Sequence, residues 1–260
     1  MVRALGVIPA RFASTRFPGK PLASLGDRTL IEQVVERARA SRRLQRVIVA
    51  TDDERIANVC RCANAEVLLT SPDHPSGTDR VAEAVRNAGE SFDVVVNVQG
   101  DEPFVTPTSL DRLVSAFDES PATEIATLAE PLKRIDELLD RNVVKVVTTL
   151  DGRALYFSRS PIPYYAGDGA SDDPAEALRS RPGGLSGFLK HQGIYAYRTG
   201  TLFALTTMPP SPLERDESLE QLRALQAGIH IRVLDSDFRS VGVDTPADLE
   251  RAAALLGESH

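Results

Sequence analysis

The sequence feature that most constrains the fold is a nearly uninterrupted apolar run at 94–98, which reads VVVNV. Such a run is typical of a parallel strand that is covered on both faces. Similar short runs at 4–8, 47–51 and 66–69 alternate with stretches such as 28–40, where apolar residues recur at helical spacing. This alternation predicts an α/β fold with a single open, mostly parallel sheet flanked by helices.

The second half of the chain is less regular. Two strand-like runs around Asp151-Gly152 predict a β-hairpin. Residues 161–187 are rich in Pro, Gly, Ser and Asp, and the stretch is too long for a plain connector, so a lid or a mobile loop is expected there. We therefore predict one domain over 1–260, with a lid or dimerisation excursion at 161–200.

Charge and hydropathy limit the classes of protein that this sequence fits. The 260 residues carry a formal net charge of −7, which argues against broad nucleic-acid binding because that function usually needs a basic face. The longest apolar runs fall short of the roughly 18–20 residues that span a bilayer. The amino-terminal apolar run is too short for a signal peptide and breaks at Pro9 and Arg11. We expect a cytoplasmic protein.

The loop that follows the first predicted strand is basic in an otherwise acidic chain. It carries Arg11, Arg16 and Lys20, and no acidic residue precedes Asp27. Three cations on one short loop repel each other, which indicates that an anion binds there, although a solvated surface loop remains an alternative. The glycine spacing matches neither a Walker phosphate loop nor a dinucleotide fingerprint. Arginine and lysine still suit phosphate oxygens.

Two acidic residues are candidates for a metal site. Asp101 directly follows the buried strand at 94–98, where ligands of this sheet type bind. Asp244 precedes a capping box formed by Thr245 and Asp248, so its own carboxylate is left for another task. Facing a basic loop, such carboxylates could hold Mg²⁺ that is shared with phosphate oxygens. The alternatives are a turn acid at Asp101 and a helix-start acid at Asp244.

A series of motifs carries a family resemblance over nearly the whole chain. They are IPARFASTRFPGKPL at 8–22, ATD at 50–52, SGTDR at 76–80, NVQGDEP at 97–103, VKVV at 144–147, ALYFSR at 154–159, HQGIY at 191–195, SPLE at 211–214, LEQLR at 219–223 and GVDTP at 242–246. In this order they resemble the 3-deoxy-manno-octulosonate cytidylyltransferases, of the nucleotide-diphospho-sugar transferase superfamily. The first motif alone would indicate only the superfamily, whereas its combination with HQGIY and LEQLR is much more specific.

The resemblance implies a homodimer that uses CTP and Mg²⁺. The implied reaction joins CMP to 3-deoxy-D-manno-octulosonate (Kdo), releases pyrophosphate and serves lipopolysaccharide biosynthesis. Two alternatives remain open: a cytidylyltransferase for another acidic sugar, such as amino-Kdo or a sialic-acid relative, and a nucleotide-binding protein without catalysis. Retention of Lys20, Asp101 and Asp244 together argues against the second.

The resemblance also implies roles for individual residues. The implied catalytic cations are Lys20, Arg11 and Arg16. The implied nucleotide-binding residues are Ala10, Arg11, Ser14, Arg16, Lys20, Ser76, Gly77 and Arg80. The implied sugar-binding residues are Gln99, Arg159, His191, Tyr195, Glu214 and Gln221. The implied metal ligands are Asp101 and Asp244. Independently of the resemblance, Glu102 is expected to point away from the interior, because it precedes Pro103.

The sugar-side residues can be weighed physically. Kdo carries a carboxylate, for which Arg159 is a reasonable clamp. His191 and Tyr195, four apart on a predicted strand, face the same side. Glu214 and Gln221 lie seven apart on a helix predicted over 213–227, and hence on one face. A surface arginine, a structural histidine and a solvated helix face are the alternatives. The stretch between Ile162 and Phe188 departs from the family pattern, so we predict no site residues there.

Overall fold

The computed structural model describes residues 1–13, 16–167 and 173–257. The strands are β1 (Ala4–Ala10), β2 (Ser24–Leu25), β3 (Arg28–Thr29), β4 (Leu44–Thr51), β5 (Glu66–Leu69), β6 (Val94–Asn97), β7 (Ile125–Pro131), β8 (Lys145–Thr148), β9 (Ala154–Ser158), β10 (Leu189–Arg198) and β11 (Ile231–Asp235). The helices are α1 (Leu30–Arg39), α2 (Glu54–Cys62), α3 (Gly77–Asn87), α4 (Pro107–Glu119), α5 (Ile135–Leu139), α6 (Pro174–Ser180), α7 (Thr199–Thr207), α8 (Pro212–Glu217), α9 (Gln221–Gln226) and α10 (Pro246–Gly257).

The α/β fold predicted from strand–helix alternation is confirmed. The main sheet has the strand order β11-β7-β10-β6-β1-β4-β5, with β8 and β9 joined to it through β10. Strand pairs β1–β4, β1–β6, β4–β5 and β7–β11 are parallel, whereas β10 runs antiparallel to β6. The sheet is therefore mostly parallel and open.

The chain divides into two compact units. The first unit comprises residues 1–122, 194–207 and 237–260, and the second comprises residues 123–193 and 208–236. Strand β10 contributes residues to both. The prediction of one domain with an excursion at 161–200 remains a prediction.

The first unit is built around β1 and its neighbours. Every residue of β6 is buried, as the VVVN sequence predicts for a strand covered on both faces. At the carboxyl ends of these strands the backbone is closely packed, because a Cβ atom at Gly100 would lie 3.1 Å from the carbonyl oxygen of Pro9. A separate apolar cluster formed by Leu25, Leu30, Val243 and Ala252 fixes the segment that leads into α10.

The second unit contains the hairpin and most of the irregular excursion. Strands β8 and β9 pair antiparallel, and Gly152 takes a φ of 83° at the turn, which confirms the hairpin prediction. In the described part of 161–187, helix α6 places Leu178 in a cluster with Leu132, Leu138 and Phe188. This part of the excursion therefore shares the apolar core of its unit.

One helix prediction is wrong. The helix expected over 213–227 is two short helices, α8 and α9. Ser218, between them, has the left-handed conformation at φ 51° and ψ 49°, which ends α8. Glu214 and Gln221 therefore do not share one face of a single helix. Along the described parts of the chain, no helix is both long enough and apolar enough to cross a membrane.

Candidate active site

The basic loop begins where β1 ends and is closed at its base. The Gly19 amide donates to the carbonyl oxygen of Phe12 at 3.0 Å. Gly19 has a φ of 72°, and a Cβ atom there would lie 3.1 Å from the Phe12 ring. Both facts favour glycine at this position. On the phenyl ring lies the guanidinium of Arg55, 3.3 Å from the ring centroid, and Asp53 accepts two hydrogen bonds from that guanidinium.

Lys20 and Arg16 converge on the two predicted metal ligands. The Lys20 ammonium donates to Asp101 Oδ2 at 2.8 Å and to Asp244 Oδ1 at 3.1 Å. Arg16 donates to the second oxygen of Asp244 at 3.0 Å. Four residues from three distant parts of the sequence therefore form one cluster within the first unit. For Asp101, a place facing the basic loop was predicted from its position at the end of a buried strand.

The electrostatics of the cluster keep Lys20 charged. Burial lowers the pKa of its ammonium, but the charges of Asp101 and Asp244 and their hydrogen bonds together raise the pKa by more than burial lowers it. The pKa of Lys20 therefore lies above the ordinary value for lysine. The Lys20 side chain is 15% exposed, compared with 60% for Arg16. The lysine is thus enclosed between the carboxylates, while the arginine lies on the solvent-exposed side of the cluster.

Local structure holds the two aspartates in place. The Val243 amide donates to the carbonyl oxygen of Asp101 at 2.9 Å, which joins the segments that carry the two acids. The predicted capping box is present, since Asp248 accepts from the Thr245 amide at 2.8 Å and also from the Asp244 amide. The Asp244 side chain is therefore not used as a helix cap and is directed to Lys20.

Glu102 corrects an expectation from the sequence. It was expected to point away from the interior because it precedes Pro103, but the residue is 8% exposed. Its Oε1 atom accepts from the Ser240 hydroxyl at 2.7 Å. The buried contact fixes the strand end next to Asp101. Sequence position before proline was a poor guide, since the partner lies 138 residues away.

The predicted base-side residues lie at the start of α3. Ser76 is the N-cap, and its hydroxyl accepts from the Asp79 amide at 3.2 Å, as the capping-box pattern predicts. Gly77 lies against Pro9. Arg80 is 4% exposed, and its Nη1 atom donates to Thr70 Oγ1 at 2.5 Å and lies 3.3 Å from Asp52. Its guanidinium is therefore anchored within the first unit.

The remaining predicted residues of the basic loop differ in placement. Ala10, the last residue of β1, is buried. Arg11 is exposed, and it makes no side-chain hydrogen bond or ion pair to the part of the chain that the structure describes. Ser14 lies outside the described residues. Among the described residues of the loop, Arg11 thus presents an exposed guanidinium, whereas Ala10 can offer only its backbone.

Of the predicted sugar-binding residues, two belong to the first unit. Gln99 follows β6, and its side-chain amide donates to Asn97 at 3.4 Å. Tyr195 lies on β10 opposite Asn97 and is 7% exposed, with its ring stacked on Tyr197 at a centroid distance of 5.7 Å. These contacts place both side chains beside the carboxyl end of β6.

Arg159, in the second unit, is held by its own chain. Its guanidinium donates to three backbone carbonyl oxygens, those of Glu217 at 2.7 Å, Arg141 at 3.0 Å and Ser218 at 3.3 Å. The Arg159 amide also donates to the Glu217 carboxylate at 2.9 Å. A carboxylate clamp needs the guanidinium donors, so a ligand would have to replace part of this set.

Next to Arg159 lies a buried lysine, Lys145, for which the sequence motifs predicted no role. Lys145 is 0% exposed, and its ammonium donates to the carbonyl oxygens of Asp140, Val143 and Arg159, at 3.0, 2.5 and 2.5 Å. Burial lowers its pKa to about 8. Glu217, likewise not singled out, accepts from the Ser158 hydroxyl at 2.6 Å. The VKVV and ALYFSR motifs were the available signals for this cluster.

His191 is enclosed in the second unit. Its Nε2 atom lies 3.0 Å from the Thr127 hydroxyl, and its ring packs edge-on against Phe157 at 4.9 Å. Burial lowers the pKa of His191 to about 3. The imidazole is therefore neutral at neutral pH, and its surroundings are those of a structural side chain.

Glu214 and Gln221, predicted to share a helix face, have separate environments. Glu214 forms a capping box with Ser211 and a two-bond ion pair with Arg223, at 2.8 and 2.6 Å. The hydrogen bonds from Arg223 hold the pKa of Glu214 below its usual range. Gln221 begins α9 and is half-buried.

The donor set at Asp101 and Asp244 fits magnesium. Two carboxylates converge on one cation, and both remain partly exposed, at 30% and 46%. Among the described residues, no group of three or more His, Cys, Asp or Glu side chains is arranged to hold a metal ion. Magnesium is commonly bound by one or two carboxylates together with water and substrate phosphate, so a two-carboxylate site is of the expected kind.

Comparison with known proteins agrees with this geometry. Residues 5–231 match the cytidylyltransferase family. The 3-deoxy-manno-octulosonate cytidylyltransferase of Anaeromyxobacter sp. (strain Fw109-5) is 49% identical over 257 residues, which are 98% of this chain and 98% of that protein. The enzymes of the same name from Geobacter sulfurreducens and Solibacter usitatus are 46% and 44% identical, over 96% and 99% of this chain and 98% and 96% of their own lengths.

Solved structures give the same result. A CMP:2-keto-3-deoxy-manno-octonic acid synthetase in complex with CTP matches with a TM-score of 0.87 and 39% identity, over 99% of this chain and all of that one. A cytidylyltransferase from Leptospira borgpetersenii, at 18% identity and a TM-score of 0.64, shares the fold. The chain therefore belongs to the 3-deoxy-manno-octulosonate cytidylyltransferase family.

Proposed function

We propose that this chain transfers CMP from CTP to Kdo and releases pyrophosphate, as a step in lipopolysaccharide biosynthesis. The observation that carries the proposal is the cluster of Lys20 and Arg16 with Asp101 and Asp244, at the end of the sheet where α/β proteins bind ligands. Membership of the cytidylyltransferase family supports the same reaction.

The proposed chemistry is an in-line displacement. The anomeric hydroxyl of Kdo attacks the α-phosphorus of CTP and gives up its proton to water. The new oxygen–phosphorus bond forms as the bond to the leaving oxygen breaks, and pyrophosphate departs. Catalysis of this kind depends on positioning and on neutralising charge. Lys20, Arg16 and Arg11 would stabilise the negative charge that develops on the α-phosphate and the leaving group.

Asp101 and Asp244 are the proposed magnesium ligands, because they are hard oxygen donors directed to one point. When bound, Mg²⁺ would supply positive charge to phosphate oxygens and would lower the pKa of a coordinated hydroxyl. The two residues themselves keep Lys20 charged, and they orient Lys20 and Arg16 before the substrate arrives.

The proposed cytosine side is the start of α3. Ser76 and Gly77 bring the amino-terminal turn of that helix next to Pro9, and Arg80 stiffens the turn through Thr70 and Asp52. We propose that backbone groups at 76–77 contact the nucleotide and that Arg80 mainly orients them, because its Nη1 atom is already engaged.

For the sugar acid, the candidates remain Gln99 and Tyr195 in the first unit and Arg159, His191, Glu214 and Gln221 in the second. Gln99 and Gln221 are half-buried amides that can exchange hydrogen bonds with hydroxyl groups. The other four are more strongly engaged within the protein. Within each unit taken by itself, we therefore propose Gln99 and Gln221 as the side chains most able to exchange hydrogen bonds with a ligand.

One assay tests this function. Pyrophosphate release from CTP is measured with Mg²⁺ in the absence of a sugar acid, with Kdo, and with amino-Kdo or a sialic acid. We expect release that depends on Kdo. Release only with another sugar acid would support a different cytidylyltransferase, and tight CTP binding without release would support a non-catalytic nucleotide-binding protein.

We also propose a homodimer and a cytoplasmic location. Both follow from the family resemblance, and the exposed Leu150 and Leu155 of the hairpin provide apolar surface for self-association. Sedimentation velocity should give twice the chain mass, and cell fractionation should recover the protein with the cytoplasm. A monomer at micromolar concentration, or recovery with membranes, would contradict the respective proposal.

A further inference from the structure

The Lys20 ammonium lies where a cation shared by Asp101 and Asp244 would have to sit. It donates to one oxygen of each carboxylate, at 2.8 and 3.1 Å, and Arg16 takes the second oxygen of Asp244 at 3.0 Å. Two positive and two negative side chains make the cluster neutral. A divalent cation arriving alone would find no net negative charge and would lose part of its attraction to the site.

Entry of a divalent cation between the carboxylates requires the ammonium to leave. Two cations cannot share the space between the same pair of oxygens, because the repulsion of like charges at contact distance is strong in a partly enclosed site. The Lys20 side chain is 15% exposed, so displacement without another partner would also leave its charge poorly solvated. An anion that receives the ammonium removes both obstacles.

The geometry allows the side chain to move while the loop stays in place. The Lys20 amide donates to the Phe17 carbonyl at 3.1 Å, and the Lys20 carbonyl accepts from the Ala23 amide at 3.0 Å. Pro21 follows in a short 3₁₀ turn, which further restricts the backbone. The four-carbon stem of lysine is flexible, so its ammonium can turn from carboxylates to a phosphate within reach.

We propose that Lys20 acts as an internal counter-ion that keeps divalent cations off Asp101 and Asp244 until a nucleotide triphosphate binds. The triphosphate draws Lys20 and Arg16 to its own oxygens and leaves the two carboxylates with a net negative charge. Metal binding at these residues therefore follows nucleotide binding. This inference rests on the proposed function, because it takes the triphosphate of the substrate as the anion.

The test measures Mn²⁺ binding to the nucleotide-free protein by electron paramagnetic resonance. Lys20→Met should bind Mn²⁺ at least about tenfold more tightly than wild type, a difference of about 1.4 kcal/mol. Arg42→Met, which removes an exposed cation elsewhere in the first unit, should behave as wild type. Adding Asp101→Asn to Lys20→Met should abolish the gain, and a non-hydrolysable CTP analogue should tighten Mn²⁺ binding to wild type.

Equal Mn²⁺ affinities for nucleotide-free wild type and Lys20→Met would overturn the inference, as would a gain that survives Asp101→Asn. Lys20→Gln is measured alongside, and thermal unfolding of each variant verifies that it is folded. The outcome is separable from that of the proposed function. Kdo-dependent pyrophosphate release with unchanged Mn²⁺ affinity would contradict the counter-ion role alone, and the expected Mn²⁺ result without release would contradict the reaction alone.

Discussion

The charged side chains of the two units are held in different ways. In the first unit, Lys20 and Arg16 contact the carboxylates of Asp101 and Asp244, side chain to side chain, and the cluster is partly exposed. In the second unit, Lys145 and its neighbour Arg159 donate to backbone carbonyl oxygens. Side-chain partners can be exchanged for a substrate, whereas backbone partners fix the path of the chain.

This difference separates two uses of the same residue type. A lysine between two partly exposed carboxylates can pass its charge to a phosphate at modest cost. A lysine that donates to three backbone carbonyl oxygens cannot leave without depriving each of them of a donor. The comparison predicts that substitutions in the first cluster lower turnover and leave folding intact, and that substitutions in the second lower stability.

The largest effect is expected for Lys20→Met. Loss of the ammonium removes charge stabilisation from the α-phosphate and the leaving group, so turnover with CTP and Kdo should fall by about 10³-fold, equivalent to about 4 kcal/mol. The two carboxylates are partly exposed, at 30% and 46%, so water can solvate them once the ammonium is gone, and the free energy of unfolding should change by no more than about 1 kcal/mol. Steady-state kinetics and urea unfolding measure the two quantities.

Lys133→Met, at an exposed lysine of the second unit, is the control for that substitution and should alter neither quantity. If Lys20→Met unfolded the protein, the claim that the first cluster serves turnover and not folding would be contradicted. It would also be contradicted if the folded variant retained wild-type turnover.

Lys145→Met should have the opposite signature. Methionine fills a similar volume, but the carbonyl oxygens of Asp140, Val143 and Arg159 lose the hydrogen bond from the ammonium, so the free energy of unfolding should fall by about 3 kcal/mol. Urea unfolding against wild type and Lys133→Met measures this loss. A variant as stable as wild type would show that the buried ammonium does not support the fold.

A smaller effect is expected from the buried His191. The unfolded chain takes up a proton on this imidazole near pH 6.5, whereas the folded protein takes it up only near pH 3. Between these values the unfolded state binds more protons, so stability should fall as the pH is lowered, by about 1.4 kcal/mol per pH unit from this residue. Urea unfolding at pH 7, 6 and 5 measures the slope.

Two variants test whether His191 causes that slope. His191→Gln removes the buried imidazole, and His230→Gln, at an exposed histidine, is the control. The first variant should show a shallower dependence on pH than wild type, whatever its absolute stability, and the second should keep the wild-type slope. Identical slopes in all three proteins would mean that His191 takes up its proton equally in the folded and unfolded states.

The parts of the fold with local signals were predictable from the sequence. The VVVNV run identified β6, and the pattern at Thr245 and Asp248 identified the start of α10. Strand β7 was not predicted, because its sequence IATLAEP has no alternation and carries a charge at Glu130, just before its last residue Pro131. That charge, Glu130, is buried and lies 3.4 Å from Lys190, a partner that sequence proximity could not indicate.

In the candidate site too, the features with local sequence signals were predictable, and those that depend on tertiary packing were not. The basic loop and the strand-end acid were visible from composition and position, and Asp101 and Asp244 indeed lie together at Lys20. The environments of Arg159 and Glu214 were not visible, since their partners are set by tertiary packing and by the break at Ser218. Sequence patterns identify which side chains are charged, and packing decides which of them stay available.

The central claim is that the charge cluster of the first unit serves the reaction and not the fold. The most direct measurement is Kdo-dependent pyrophosphate release by Asp101→Asn at saturating CTP and Mg²⁺, beside its free energy of unfolding and an Asp27→Asn control at an exposed acid. We predict a loss of at least about 100-fold, roughly 2.7 kcal/mol, with stability within about 1 kcal/mol of wild type. Release within about threefold of wild type, roughly 0.7 kcal/mol, would contradict the claim.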